Sequence, residues 1–415
     1  MTELLPSISV DKLRVGLYIH LDLNWIQHPF LLSHFKIESE RQIEAIRDLG
    51  LKEVRWSPEL SDPEPTSGAT KRLSAGPVAA ASTHLPARVL TDDELSLLRC
   101  ERKFAEAAQS LREIFKIVLT QPQQAREQAE QLTYKLLGEL ADHSEFYIRL
   151  LPEQAGDHSA LHGINVATIT LLLSQRLGLD QDARKRLTLA ALAHDIGKVK
   201  LPERLRWYSS DFNGSECKLF QQHVEYGVAL AESMGLDAQI CTLIAQHHEY
   251  VDGSGFPRGL KSEEISRDAR ILSLVNQYDK LCNPNNPVEA VTPHQALALM
   301  FAQSRSKFDP QILSVFIRML GVYPPGSVVL LSNGRHALVV SVNAARPLKP
   351  RVLIHKPWIP REAAQVTDLE ERPDLSIRQS LKPTQLPRAA FQYLLPRQRI
   401  CYFFERACAI DDRSS

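Results

Sequence analysis

Cysteine is sparse and unpatterned. The six present (Cys100, Cys217, Cys241, Cys282, Cys401 and Cys408) show no CxxC spacing. This fits reduced thiols better than a disulfide framework or a zinc ribbon. No apolar run is long enough to span a bilayer. Residues 1–11 lack the basic start and apolar core of a secretory signal. An excess of one charge is missing too: 49 Lys and Arg balance 49 Asp and Glu, for a net charge of zero. That argues against a broad electrostatic grip on a nucleic-acid polymer or an anionic membrane, but allows a local basic pocket for a small phosphate ligand. Internal repeats are absent, which excludes a solenoid. Together these absences point to a cytoplasmic protein with reduced thiols and no membrane insertion.

What is present is ordinary globular composition, 44% apolar and 24% charged over 415 residues, enough for several domains and a sizeable core. Residues 1–58 read as a small α/β domain. Val15–Leu21 is strand-like, Ser39 and Gln42 would open a helix with Ile43, Ile46 and Leu49 as its apolar stripe, and Lys52–Trp56 would be a return strand. The aromatic stretch Trp25–Phe30 could pack on a partner domain. Residues 59–90, rich in Pro, Ser, Ala, Gly and Thr, read as a flexible linker. Residues 91–150 begin with a Thr91/Glu94 capping box and form a helical connector, a dimer face or a plain packing bundle. Residues 151–320 show successive helical segments at 158–177, 181–197, 215–234, 237–248, 266–282, 293–304 and 310–320. Residues 321–415 contain a hairpin around Asn333-Gly334, a third strand at Arg351–Ile354 and a Pro- and Arg-rich tail. The expected fold is mainly α: a helical-bundle core with a small N-terminal α/β domain and a C-terminal β appendage.

Chemistry concentrates in the bundle. Six of the 14 histidines, His158, His162, His194, His223, His247 and His248, fall on or beside its helices. His158 and His162 share one helix face, and Asp195 follows His194 directly, with Lys198 close behind. Inward imidazoles from several facing helices make a bundle-core metal site. Imidazoles with few carboxylates and no thiolate suit Fe, Mn, Zn or Ni better than Mg or Ca, and the donors are too many for one tetrahedral ion. After Glu249, the loop Tyr250-Val251-Asp252-Gly253-Ser254-Gly255-Phe256-Pro257 would wall the site, and its backbone N–H groups could face an anion.

The ordered set His194-Asp195, Lys198, His223, His247-His248-Glu249 and Asp252-Gly253-Ser254-Gly255-Phe256-Pro257 resembles the HD-GYP family, across about residues 158–320. Those proteins are bacterial metal-dependent phosphodiesterases that hydrolyse cyclic di-GMP. The N-terminal segment resembles the uncharacterised domain that precedes HD-GYP modules in some of them. The resemblance implies metal ligands at His162, His194, Asp195, His223, His247, His248 and Asn276, with Asp195 bridging two ions, Fe or Mn first and Zn or Ni as alternatives. It implies Asp195 and Lys198 as catalytic residues, and substrate contacts at Lys198, Gly253, Gly255, Phe256 and Pro257. The products would be linear pGpG and then GMP. Partners would be cyclic di-GMP, other signalling proteins and a second copy of the chain. Three positions depart from the family: Phe256 replaces the name-giving Tyr, Asn276 replaces a ligand Asp, and His158 stands where a three-metal member has Glu. The alternatives are a catalytically weak or inactive cyclic di-GMP-binding module, or an HD hydrolase acting on another nucleotide.

Overall fold

The structure is a computed structural model. It describes residues 6–21, 34–37, 43, 46–47, 51, 53–58, 61–62, 91–140, 145–152, 158–303, 305–397 and 399–406. Ser39, Gln42, Leu49, Trp25–Phe30, Cys408 and most of the expected linker lie outside these residues. The chain divides into two compact units, 1–86 and 87–415.

The first unit holds strands β1 (Ser7–Ser9), β2 (Tyr18–His20), β3 (His34–Lys36) and β4 (Glu53–Ser57) in one antiparallel sheet of order β1-β4-β2-β3. Ile43 and Ile46 bury against Val10, Leu17, Ile19, Ile37 and Val54.

The second unit opens with α1 (Asp92–Ile117). The Thr91 side chain accepts from the Glu94 N–H while Glu94 accepts from the Thr91 N–H, so two end donors are satisfied. Cys100, Phe104, Ala107, Leu111 and Ile114 repeat every three or four residues and make its buried stripe. Pro122 starts α2 (Pro122–Leu140), where its missing N–H costs nothing. After strand β5 (Phe146–Leu150) comes α3 (His158–Arg176), buried at every position from Ala160 to Ser174. It packs against α1, against α4 (Gln181–Ala193) and, later in the chain, against α8 (Arg267–Cys282). Of its buried polar side chains, His162 and Asn165 find partners inside the protein, while Thr168 Oγ1 and Thr170 Oγ1 have none.

Two helices differ from expectation. Rather than running to 197, α4 stops at Ala193, and a 3-10 turn covers Ile196–Lys200. Gly197 explains the tight turn: a Cβ there would stand 2.0 Å from the His223 carbonyl oxygen, so only glycine lets the backbones touch. The expected helix 215–234 is two, α5 (Gly214–Gln221) and α6 (His223–Ser233). Gln222 N–H bonds back to Leu219, a 3-10-type tightening that places His223 at the start of α6. The bundle continues through α7 (Ala238–Gln246), α8, α9 (Pro293–Ala302, capped by Thr292 and Gln295) and α10 (Pro310–Leu320).

The β region is larger than a hairpin with a third strand. Strands β6 (Val328–Leu331), β7 (His336–Asn343), β8 (Arg351–Ile354), β9 (Val366–Asp368), β10 (Ile377–Leu381) and β11 (Tyr402–Arg406) join β5 in one seven-stranded antiparallel sheet. Ser341 pairs with both Arg149 and Arg351, so β5 and β8 lie on opposite edges of β7. On its other side β5 takes β11, with Ile148 opposite Phe404. The last described strand is thereby carried back to the bundle. Among the described residues no helix is long and apolar enough to cross a membrane.

Candidate metal centre

Three helix ends and one helix interior deliver the histidines. His194 follows α4, His223 opens α6, and His247-His248 follow α7, while His162 lies one turn into α3. Three of the rings are oriented by local backbone. The Nδ1–H of His194 donates to Ala191 O at 2.7 Å, that of His223 to Phe220 O at 2.6 Å, and that of His247 to Ile244 O at 2.6 Å. Each carbonyl lies three residues back, an end-of-helix acceptor that would otherwise be short of a donor. In every case the proton is fixed on Nδ1, and Nε2 is left as a lone pair.

His162 is oriented by a carboxylate. Its Nδ1–H donates to Asp279 Oδ2 at 2.6 Å. Asp279 Oδ1 accepts from the side-chain amides of Asn165 and Asn283, both at 2.9 Å. The same two asparagines bond the backbone of Ile400 and Tyr402 at the entry to β11. The C-terminal sheet therefore braces the support of a candidate ligand on α3.

The lone pairs converge. His162 Nε2 lies 3.2 Å from His194 Nε2, and His223 Nε2 lies 3.4 Å from His247 Nε2. Asp195 stands between these pairs, Oδ2 at 3.5 and 3.4 Å from the first pair and Oδ1 at 3.5 and 3.9 Å from the second. Two groups with ion-binding spacing share it: His162, His194 and Asp195, and Asp195, His223, His247 and His248. Facing lone pairs with no proton between them repel, and a cation is what resolves that repulsion. Asp195 Oδ1 and Asn276 Oδ1 are both buried without a hydrogen-bond partner, as atoms reserved for an ion would be. The donor set fits divalent transition metals.

Around this cluster, Lys198 donates to Asp195 Oδ2 at 2.6 Å and lies over the Trp207 ring at 4.4 Å. Phe256 stacks on His248 with ring centres 4.4 Å apart. The loop carrying it folds back on itself. Gly253, Phe256, Arg258 and Leu260 spend their N–H groups on Tyr250 O, His248 O and the two Glu249 oxygens. Within the expected loop the Gly253 and Phe256 amides are therefore not free for an anion; what the loop brings to the candidate ligands is the Phe256 ring. Gly255 is required by closeness, since a Cβ would lie 2.5 Å from the His248 carbonyl oxygen. Pro257 follows through a cis peptide bond. His158 is not among the converging donors: its Nε2 sits at 3.1 Å from Asn283 O and its ring packs on Trp207.

A family model described as "HD domain" matches residues 139–312, the stretch that supplies all of these candidate ligands. Residues 139–312 form an HD domain. A second model, a domain of unknown function (DUF3391), matches residues 5–129. Cyclic di-GMP phosphodiesterase PA4108 of Pseudomonas aeruginosa is 26% identical over 357 residues, 85% of each chain. The response regulator RpfG of Xanthomonas campestris, a cyclic di-GMP phosphodiesterase, is 33% identical over 149 residues, 35% of this chain and 39% of its own. A 3'3'-cGAMP-specific phosphodiesterase of Vibrio cholerae (number 3) is 29% identical over 168 residues, 40% of this chain and 36% of its own. Among solved structures, Bd1817, an HDG"Y"P protein from Bdellovibrio bacteriovorus, aligns with a TM-score of 0.39 at 18% identity, covering 74% of this chain and 97% of that one.

Electrostatics keep the HD domain ready for cations. Burial lowers the pKa of His162, His247 and His248, and brings His223 down to about 3. Burial alone would raise the Asp195 carboxyl, but Lys198 and then His194 outweigh it and hold it well below the usual carboxylate range. Lys280, whose Nζ lies 3.2 Å from His248 Nε2, is lowered to about 7, first by burial and then by Lys198.

These shifts predict how the metal-free protein responds to acid. An unfolded histidine takes up a proton below 6.5, whereas folded His223 stays neutral down to about 3. Between those values the unfolded chain binds more protons, so stability falls as pH falls, by up to ~1.4 kcal/mol per pH unit for each histidine so held. Thermal unfolding of chelator-treated protein should show Tm dropping steadily below pH 6.5. A flat profile across that window would contradict neutral buried imidazoles.

Asp279 and Lys280 have no assigned role in the sequence reading. Asp279 follows the candidate ligand Asn276 by three residues and carries no signal of its own in the sequence. Helical spacing puts 276, 279 and 280 on one face of α8, and that face meets the ligands through the contacts of Asp279 and Lys280.

Proposed function

We propose that the HD domain hydrolyses cyclic di-GMP, with two divalent transition metals, Fe or Mn, held by His162, His194, Asp195, His223, His247, His248 and Asn276. The observation that carries this reading is the pair of facing imidazole lone pairs on either side of one carboxylate. When bound, such ions supply Lewis acidity toward a phosphoryl oxygen and lower the pKa of water toward neutrality. The chain's own residues supply the rest. Asp195 links the two ligand groups, and Asp279 holds His162 in the tautomer that presents Nε2. The Lys198 ammonium, held by Asp195 and the Trp207 face, would neutralise a phosphate oxygen. Phe256 closes the site with an apolar ring beside His248. The relatives named above as cyclic di-GMP phosphodiesterases support the substrate. Linear pGpG would be the first product and GMP the second.

Asn276 favours a second reading, a module that binds cyclic di-GMP with little or no turnover. A neutral amide oxygen can approach a metal but offsets none of its charge. Purified protein with added Mn or Fe, incubated with cyclic di-GMP and followed by chromatography, should yield pGpG. Asn276→Asp should reach the same rate at a metal concentration about tenfold lower, the order expected for one altered partner at a metal site. An inactive wild type made active by Asn276→Asp would establish the binding module instead.

A further inference from the structure

The two ligand groups of the HD domain are not equivalent. The His162–His194 group is backed by the Asp279 carboxylate. At the other group, Lys280 Nζ lies 3.2 Å from His248 Nε2. Whenever Lys280 is protonated its ammonium has no lone pair, so in this contact it donates and the imidazole accepts. A neutral imidazole has a single ring lone pair. Given to Lys280 it is no longer available to an ion, and the other ring nitrogen then carries the proton. Lys198 creates no such block at Asp195, because a carboxylate oxygen can accept an ammonium and still face a metal. Asn276, one turn before Lys280 on the same face of α8, adds no charge to counter this cation.

The geometry points to Lys280 as a tethered hydrogen-bond donor that competes for His248 and so makes the second metal position the weaker of the two. The ordering of the ions is then a property of the empty site: the His162–His194–Asp195 group fills first, and the His223–His247–His248 group fills only as Lys280 gives up the ring. This inference rests on the metal reading above and is separable from it.

Mn(II) binding to the full chain, freed of metal with a chelator, tests the inference without any activity assay. Wild type should bind two ions in well-separated steps. Lys280→Met, which keeps length and removes the donor, should tighten the weaker step by about tenfold or more, as expected when an outer partner of a ligand is altered, and leave the tighter step unchanged. Lys280→Arg, which still donates, should keep the two steps apart. Removal of a positive charge acting only at a distance would tighten both ions alike, and that result overturns the competition. Equal affinities in the wild type, or a weaker second step in Lys280→Met, also overturn it. Failure of every form to bind Mn(II), Co(II) or Fe(II) overturns the metal reading itself, and this inference with it. If Lys280→Met does not retain the helical circular dichroism of the wild type, Lys280→Leu, which also removes the donor, carries the comparison at this half-buried position.

Discussion

Replacing Asp195 with alanine should lower cyclic di-GMP hydrolysis by about 10³-fold or more, the order reached when one principal electrostatic group of an active site is lost. Asp195 is the single carboxylate in both ligand groups, with one oxygen turned toward each pair of imidazoles. Without it, seven donors become six neutral ones, and two dications would face only imidazoles and an amide. Metal content should fall with activity, measured by elemental analysis on the same sample. Stability should fall as well, because Lys198 loses its partner inside the protein; breaking a buried ion pair costs about 3–5 kcal/mol. Asp195→Asn separates the two effects, since it keeps shape and a hydrogen-bond acceptor for Lys198 while removing the charge. It should fold, and still be inactive. An Asp195→Asn protein that turns over at the wild-type rate would remove Asp195 from the chemistry.

Asp279→Asn should weaken metal binding and activity by roughly 10–100-fold, the usual cost of removing the group that orients a ligand histidine. The reason is a conflict of donors. Asp279 accepts three hydrogen bonds, from His162 on one oxygen and from Asn165 and Asn283 on the other. Asparagine can present its carbonyl to only one side. Turned toward the two amides, its NH₂ faces His162 Nδ1 and drives the proton to Nε2, which abolishes the lone pair meant for the ion. Turned toward His162, its NH₂ meets two other NH₂ groups. The expected signature is a loss confined to the ion bound by His162, with the affinity of the second ion much less affected. Unaltered metal affinity would show that the tautomer of His162 is set by something other than Asp279.

Local spacing made a good part of this protein legible in its sequence. Capping boxes at Thr91 and Thr292 are complete in a few residues, and both start helices where expected. The histidines at helix ends, and Asp195 beside His194, could be grouped because each helix is a short-range periodic object. Where short-range rules compete, the reading failed. A continuous apolar period across 215–234 concealed the break at Gln222, and the close approach of Gly197 to α6 ended α4 early.

Only the tertiary structure decided the support of the site. Asp279 meets His162 across 117 residues, and Asn165 meets Tyr402 across 237. Neither spacing leaves a periodic trace in the chain. The sheet shows the same limit: β5 and β11 pair from opposite ends of the second unit, so the C-terminal strands were readable as a hairpin with a third strand but not as the brace of the metal centre. Residue type and local period set which side chains could serve as ligands. Which of them are held, by what partner, and which lone pair Lys280 takes, depends on contacts made only when the helices pack.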